Sequence, residues 1–567
     1  MSRLASPISQ IKSSYDVIVI GSGYGGSITA SRMSRAGKKV CLLERGKEFQ
    51  PGEYPNTFKA ASPETQIDIP ERHIGKKFGL FDIRVNKEIN IVQGCGLGGT
   101  SLINANVGME PVPDVLKDPV WPVALRNDQT TLQFAYRAVN DMLKTTPYPD
   151  KRPVPAKAHS MKTAAGKMGV ADKWKYTPVY VNFDIDGPNH VGVEQKPCIA
   201  CGECCSGCNF FAKNTMIMNY LPDAKNHGAE IYTEVNVRFV EQQNSEWKVH
   251  YNLFITGDED YNAPTDFITA KLVVLSAGSL GSTELLLRSV KNGLSCSGLA
   301  GHHFSGNGDF LAFGYNNELR ANSIGIGTRP NNIEDPIGPN IASIIDLRNG
   351  ADAPDAMVIE EGVVPGLMAK PFKTLISTAA DLEGKNTGKG FYDAWKKFLR
   401  AADSFFRGPY HGATNHTLTY LVMTRDDDRG QMVLEKDRLR IEWPGAGMQP
   451  VFEKVSNKLL ELTGELDGVY TRNPLWTKLF SDQLVTVHPL GGCIMGDDAS
   501  KGVVNHKGQV FAGVSGDSVY EGLYISDGSI VNRPLGINPS LTISALAERN
   551  CIYMAKDRGW TFGYEFP

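Results

Sequence analysis

The segment Asp16-Val-Ile-Val-Ile-Gly21-Ser-Gly23-Tyr-Gly-Gly26 constrains this chain more than any other. Asp16 to Ile20 is a short β-branched run suited to a buried parallel strand. The glycines that follow have the spacing Gly-x-Gly-x-x-Gly. Ser27 to Ala36 then has helical character and stops at Gly37. Val40-Cys41-Leu42-Leu43 is the next strand, and Glu44 closes it 23 residues after Gly21. Three glycines alone are a weak signal. Between a strand and a helix, with an acid ending the second strand, they form a dinucleotide-binding turn. Gly21 makes the turn, Gly23 lets backbone approach a pyrophosphate, and Gly26 allows close helix–strand packing. Glu44 is placed to accept hydrogen bonds from a ribose, and the helix N-terminus attracts phosphate. The competing reading is a glycine-rich turn without a ligand, and the βαβ context disfavours it. The motif does not separate FAD from NAD.

The chain of 567 residues is too long for one simple core and predicts two or three domains. Gly is in excess, at 58 residues, about 10% against a usual ~7%, as expected of a chain with many tight turns or backbone–ligand approaches. The net charge of −3 leaves no footprint for nucleic acid. No run reaches the ~20 apolar residues of a transmembrane segment. Met1 to Ser14 is polar and lacks an apolar signal core, so a cytoplasmic location is expected. The sequon at Asn415 is a weak counter-signal.

Residues 50–90 are rich in Pro, Lys and aromatics and read as an irregular excursion over a surface or ligand. Gly94 to Ser101 is a second glycine-rich turn. Leu132, Ala135, Tyr136, Val139 and Leu143 fall at helical spacing. Residues 147–197 are Pro-rich and irregular. Leu272 to Leu275 is another buried strand, followed by the turn Ala277-Gly278-Ser279. Between 310 and 445, alternating runs such as Leu418–Met423 and Arg438–Trp443 predict an antiparallel sheet. A final helix starts near Ser540. The fold class is α/β: a Rossmann-type dinucleotide domain with a second, α+β domain built on an antiparallel sheet.

Several segments resemble the glucose–methanol–choline (GMC) oxidoreductases. They are Gly94-Cys-Gly-Leu-Gly-Gly-Thr-Ser-Leu-Ile-Asn104, the stretch Ser276 to Arg288, and His488-Pro-Leu-Gly-Gly-Cys493. Tyr524-Ile-Ser-Asp-Gly-Ser529, Gly536-Ile-Asn-Pro539 and Ala545 to Arg549 complete the set, which most resembles the cholesterol oxidase branch. The middle, roughly 310–480, matches much less. The resemblance implies a FAD enzyme that oxidises a small-molecule alcohol to a carbonyl, the flavin supplying the hydride chemistry. It implies that 1–110, 198–310 and 484–567 form the FAD-binding domain. Residues 111–197 and 311–483 then form the substrate domain, with 50–90 passing over the flavin. It places Gly98, Ser101, Asn104 and Ala277 in flavin-binding turns, Val235 at the adenine, and Asp527-Gly528 at the ribityl chain. Pro539 leads into the last helix, whose positive N-terminus would stabilise reduced flavin.

The resemblance also implies a catalytic pair. Imidazole changes charge near neutral pH, and His488 would take the substrate hydroxyl proton while hydride leaves for the flavin. Asn538 would hold the substrate oxygen. Glu360 matches an acid that assists steroid double-bond isomerisation in cholesterol oxidases, with Glu361 as the alternative register and an exposed acidic turn as the bland reading. His302, His303 and His506 read as loop or packing residues. Asp426-Asp427-Asp428 reads as a solvated hairpin turn.

Ten Cys are present, and five lie between Cys198 and Cys208. Cys198, Cys201, Cys204 and Cys208 have the Cys-x2-Cys-x2-Cys-x3-Cys spacing of 4Fe–4S ligands in bacterial ferredoxins, with Asn209 in place of the usual Pro. Cys205 is an alternative to Cys204. Three readings stand: an iron–sulfur cluster, a bracing zinc, or a metal-free loop. Cys95 and Cys493 fall in flavin-facing motifs. The leading expectation is an oxidase of a bulky, apolar, sterol-like alcohol with oxygen as acceptor. The rivals are a dehydrogenase passing electrons through a Cys-bound cluster to a quinone or protein, and a non-catalytic flavin redox partner or sensor.

Overall fold

A computed structural model describes residues 2–261, 263–350, 352–388, 390–476 and 482–565. Its first sheet grows from the expected βαβ unit. Strand β1 (Ser14–Ile20), helix α1 (Tyr24–Arg35) and strand β2 (Val40–Leu43) are followed much later by β3 (Asp266–Leu275). β2, β1 and β3 pair in parallel, with Val17 beside Val40 and Val19 beside Val274. Glu230–Tyr232 and Val519–Ile525 extend the parallel set, and the hairpin Val235–Gln243/Glu246–Leu253 with the short antiparallel strand Gln509–Phe511 completes eight strands. Val17 to Ile20 are buried on both faces, which is why this run carries no polar alternation. Helix α1 starts at Tyr24, three residues earlier than its side chains suggest, because the glycine turn feeds directly into it.

Helix α2 (Gly278–Lys291) leaves the end of β3. A second, seven-stranded sheet is antiparallel throughout. At its centre β4 (Val358–Gly362) pairs with Leu418–Met423, which pairs with Phe310–Tyr315. Arg438–Glu442 forms a separate hairpin with Gln431–Glu435 instead. The segment expected to be irregular contains strands Thr65–Asp68, His73–Ile74, Phe81–Arg84 and Ile89–Gly94, and these join Leu484–Thr486 in a third sheet. Their charged residues are paired internally: Arg84 bridges Asp68 at 3.0 Å and Asp82 at 2.9 Å. That pairing is invisible to hydrophobic periodicity.

The last helix, α3 (Ser540–Arg558), packs on α1, and a buried Arg32–Glu548 pair at 2.6 Å joins them, with Tyr220 also donating to Glu548. Among the described residues no helix is long and apolar enough to cross a membrane.

Candidate active site

The C-terminal ends of β1, β2 and β3 and the N-termini of α1, α2 and α3 converge on one cavity. Six such ends together make a site for an anionic ligand, since strand ends leave a crevice and helix starts present free N–H groups. The glycines divide the work. A Cβ on Gly21 (φ +92°) would lie 2.4 Å from the Ser276 carbonyl oxygen, and one on Gly26 would lie 1.9 Å from that of Gly21. Both positions are closed by protein backbone, and Gly26 itself lies behind the cavity wall. A Cβ on Gly23 would meet nothing within 4 Å, so its backbone faces open cavity.

Glu44 lines the cavity at the end of β2. Its carboxylate accepts the N–H groups of Ser22 (3.0 Å) and Gly46 (2.8 Å), which fixes it against the glycine turn. Val235 reaches the same wall through its N–H to the Glu44 carbonyl at 2.9 Å. Ala277, Asp527 and Gly528 line the opposite side. Asp527 accepts the N–H groups of Gly278 and Ser529, each at 2.9 Å. Burial raises its carboxyl, and these donors oppose the rise. Pro539 is also in the wall. It occupies the N-cap of α3, so the first helical residue is Ser540.

Two expected ligand residues sit one layer back. Gly98 donates its N–H to Ser22 Oγ at 2.9 Å, and Ser101 Oγ donates to the Gly98 carbonyl at 2.6 Å. Neither lines the cavity; the neighbouring Gly99 and Thr100 do. The correction follows from the turn, whose φ of +110° at Gly98 directs the chain so that Gly99 lies against Gly23.

Asn104 lines the cavity and donates from Nδ2 to the Tyr24 hydroxyl at 2.6 Å. Its Oδ1 has no partner, nor does Asn538 Oδ1, nor either polar atom of Asn106; all are buried, and all three residues line the cavity. Buried polar atoms are nearly always paired, so these amides call for a polar ligand. With the glycine cradle and the helix starts, they fit FAD.

His488 follows strand Leu484–Thr486 and lines the cavity. Its Nδ1 lies 2.8 Å from Oδ1 of buried Asp309. The other oxygen of Asp309 accepts Thr486 Oγ1 at 2.8 Å and the Val487 N–H at 2.9 Å, so the carboxylate is fixed on two sides. A carboxylate accepts, so Nδ1 is the donor to Asp309, and in the neutral ring this tautomer leaves the lone pair on Nε2. Sequence reasoning missed Asp309, because nothing local marks an acid that acts 179 residues away.

Asn538 Nδ2 donates to Glu360 Oε2 at 3.4 Å. Glu360 lies on β4, fully buried behind the cavity wall, and its Oε1 is unpartnered. Burial pushes its carboxyl well above the usual range. The adjacent Glu361 points the other way along the strand, pairing with buried Lys157 at 3.1 Å and accepting the N–H groups of Ala342 and Ser343. The register therefore puts Glu360, not Glu361, behind Asn538, and excludes an exposed turn for either.

The acidic run is only partly a solvated turn, with Asp427 exposed and Asp428 half-buried. Asp426 is buried and accepts Ser305 Oγ and the Gly308 N–H, both at 2.8 Å. Of the two extra cysteines, Cys95 lines the cavity, whereas Cys493 lies outside it, with its Sγ 3.6 Å from the Thr283 hydroxyl. Cys198, Cys201, Cys204 and Cys208 line a second, smaller cavity. Among the described residues no group of His, Cys, Asp or Glu is arranged to hold a metal ion there.

The family model of GMC oxidoreductases matches residues 15–299 with its N-terminal part and residues 425–547 with its C-terminal part. The chain belongs to the GMC oxidoreductase family. As a member it is an FAD-dependent oxidoreductase acting on alcohols. It is 27% identical to a cholesterol oxidase of Mycobacterium tuberculosis, over 95% of this chain and 91% of that one. A cholesterol oxidase of Acinetobacter baumannii is 26% identical over 95% and 94%. A long-chain-alcohol oxidase of Arabidopsis thaliana is 23% identical over 94% of this chain and 66% of its own. The fold is shared with a pyridoxine 4-oxidase from Mesorbium loti (TM-score 0.57, 16% identity, 95% and 98% of the two chains). It is shared also with an FAD-dependent oxidoreductase from Chaetomium thermophilum (TM-score 0.60, 14% identity, 96% and 100%).

Proposed function

We propose that the protein oxidises a bulky, mostly apolar alcohol, sterol-like or long-chain, to its carbonyl, with oxygen as acceptor and hydrogen peroxide as co-product. The observation that carries the chemistry is the His488–Asp309 pair at the wall of the cavity that Asn538 also lines. The substrate class rests on the relatives, which are named as oxidases of cholesterol and of long-chain alcohols.

When bound, FAD supplies the hydride acceptor. The chain supplies the rest. Nε2 of His488 accepts the hydroxyl proton. Asp309 holds the ring in the tautomer that leaves Nε2 free and stabilises the imidazolium that results. Asn538 presents its amide to the substrate oxygen and is held from behind by Glu360. Burial raises the Glu360 carboxyl, and because it stands behind the cavity wall its part in this reading is to position the Asn538 amide. The N-terminus of α3 adds positive potential at the same wall.

Oxygen uptake and peroxide release across a panel of sterols, long-chain alcohols and short polar alcohols test this reading. One peroxide per carbonyl, with apolar alcohols preferred, is the expected result. Turnover without peroxide would remove oxygen as acceptor. It would favour instead a dehydrogenase with a second electron outlet.

A further inference from the structure

The helix Phe391–Arg407 is mounted with its apolar side outward. Tyr392, Trp395, Phe398, Leu399, Phe405 and Phe406 are each between 48% and 81% exposed. Trp395 stacks on Phe398 with ring centroids 5.8 Å apart, and Phe405 meets Phe406 edge-on at 5.2 Å. At 3.6 residues per turn the six side chains share an arc of roughly 140°. They form one continuous stripe, and a contiguous exposed apolar patch marks a surface that meets something else.

The opposite face of the helix is polar, and it is the face that packs on the protein. Lys397 and Ser404 are buried there. Asn316 Nδ2 donates to the Lys397 carbonyl at 3.0 Å, Arg400 Nε donates to Asn316 Oδ1 at 2.6 Å, and the Thr414 N–H donates to Ser404 Oγ at 2.9 Å. Lys397 pairs with Asp393 at 2.8 Å, and Arg400 with Glu318 at 3.2 Å. A surface helix ordinarily turns its apolar stripe to the core and its charges to water. Here the polar contacts fix the reverse orientation, so the stripe is held out to a partner.

Charge narrows the partner. Residues 366–411 carry eight Lys or Arg and four Asp or Glu, an excess of four positive charges in a chain whose net charge is −3. The Lys373 ammonium lies 5.7 Å from the Phe405 ring centroid, and that of Lys396 lies 4.8 Å from the Tyr392 centroid, so cations border the stripe itself. A second copy related by a two-fold axis would set this positive excess against itself. An anionic bilayer complements it. Aromatic rings enter at the headgroup level of such a surface, and Lys and Arg beside them meet the phosphates. Among the described residues no helix is long and apolar enough to cross a membrane, so the geometry is that of a helix lying along the surface.

We propose that the outward face of the helix Phe391–Arg407 docks the protein on the surface of an anionic phospholipid membrane. Trp395, Phe398, Phe405 and Phe406 enter the boundary between headgroups and acyl chains, and Lys373 and the other basic residues of 366–411 contact the phosphates. The docking does not depend on which alcohol or acceptor the protein uses.

The test is flotation of FAD-loaded protein with vesicles of phosphatidylcholine alone and of equal parts phosphatidylcholine and phosphatidylglycerol. Binding to the mixed vesicles is expected to exceed binding to phosphatidylcholine and to weaken as salt is added. A variant combining Trp395→Ser, Phe398→Ser, Phe405→Ser and Phe406→Ser is expected to bind at least about tenfold more weakly. It should keep its FAD and its melting temperature, because the replaced side chains are exposed. Lys373→Gln alone should weaken binding to the mixed vesicles about fivefold. No binding to the mixed vesicles, equal binding to both vesicles, or equal binding by the combined variant overturns the proposal. So does wild-type protein that binds neither vesicle and dimerises while the combined variant stays monomeric, which would make the face an interface between copies. FAD content and alcohol oxidation in solution are measured on the same samples, so failure of docking and failure of the alcohol-oxidising site are read independently.

Discussion

His488 and Asp309 lie 179 residues apart in sequence and 2.8 Å apart in space, and the carboxylate that grips the imidazole is itself gripped by Thr486 and Val487. The pair fixes which nitrogen can take a proton. Replacing His488 by Ala removes the base and is expected to lower kcat by about 10²- to 10⁴-fold. Asp309→Asn keeps the volume but loses the charged acceptor, a hydrogen bond worth about 1.5–3 kcal/mol, so kcat should fall about ten- to hundred-fold. Steady-state kinetics on protein with normal FAD content checks both. Unchanged kcat in His488→Ala would leave the flavin-sensor reading standing.

The glycine turn predicts a separation of folding from cofactor binding. Gly23 has an ordinary extended conformation and an open Cβ direction, so Gly23→Ala should fold normally without cofactor and bind FAD more weakly. Gly26→Ala forces a methyl group into the Gly21 carbonyl and should destabilise the chain before any cofactor is added. Thermal unfolding with and without added FAD distinguishes them. Equal losses in the apoprotein would mean that Gly23 is structural too.

Glu360 and Glu361 are adjacent yet predicted to behave differently. Glu361→Ala strands Lys157 in the interior and should cost about 3–5 kcal/mol, as breaking a buried pair does. Burial raises the Glu360 carboxyl and no ion pair holds it among the described residues, so Glu360→Gln should change stability by no more than about 1 kcal/mol. Denaturant unfolding of the two variants is the measurement, and the reverse ranking would refute the assigned register.

What the sequence revealed follows from how local each signal is. The βαβ turn was legible because strand, glycines, helix and Glu44 fall within one short stretch. The motif points to Gly98 and Ser101, yet in the structure they lie behind the cavity wall, because a motif records which turn forms and not which of its residues faces the cavity. The strands of 65–94 were hidden by charge: Asp68, Asp82 and Arg84 are buried as partners of one another. Asp309 was out of reach, since its role exists only once Leu484–Thr486 has joined the sheet of Ile89–Gly94 and brought His488 beside it.

Asp426 shows the same limit and yields a pH prediction. Three consecutive acids read as a solvated turn, yet the fold buries the first beneath Ser305 and Gly308. Burial pushes its carboxyl up to about 7, against the lowering effect of those hydrogen bonds. An unfolded Asp releases its proton near about 3.9. Between these values the folded chain still holds a proton that the unfolded chain has lost. Raising the pH through this window therefore favours unfolding, and the stability lost levels off above about 7. Asp426→Asn cannot ionise, so it escapes this loss while carrying a constant cost for the accepting oxygen it lacks. The difference in melting temperature, variant minus wild type, should rise steadily from pH 4 to about pH 7 and then flatten. A difference that stays constant over that range would show that Asp426 is ionised throughout.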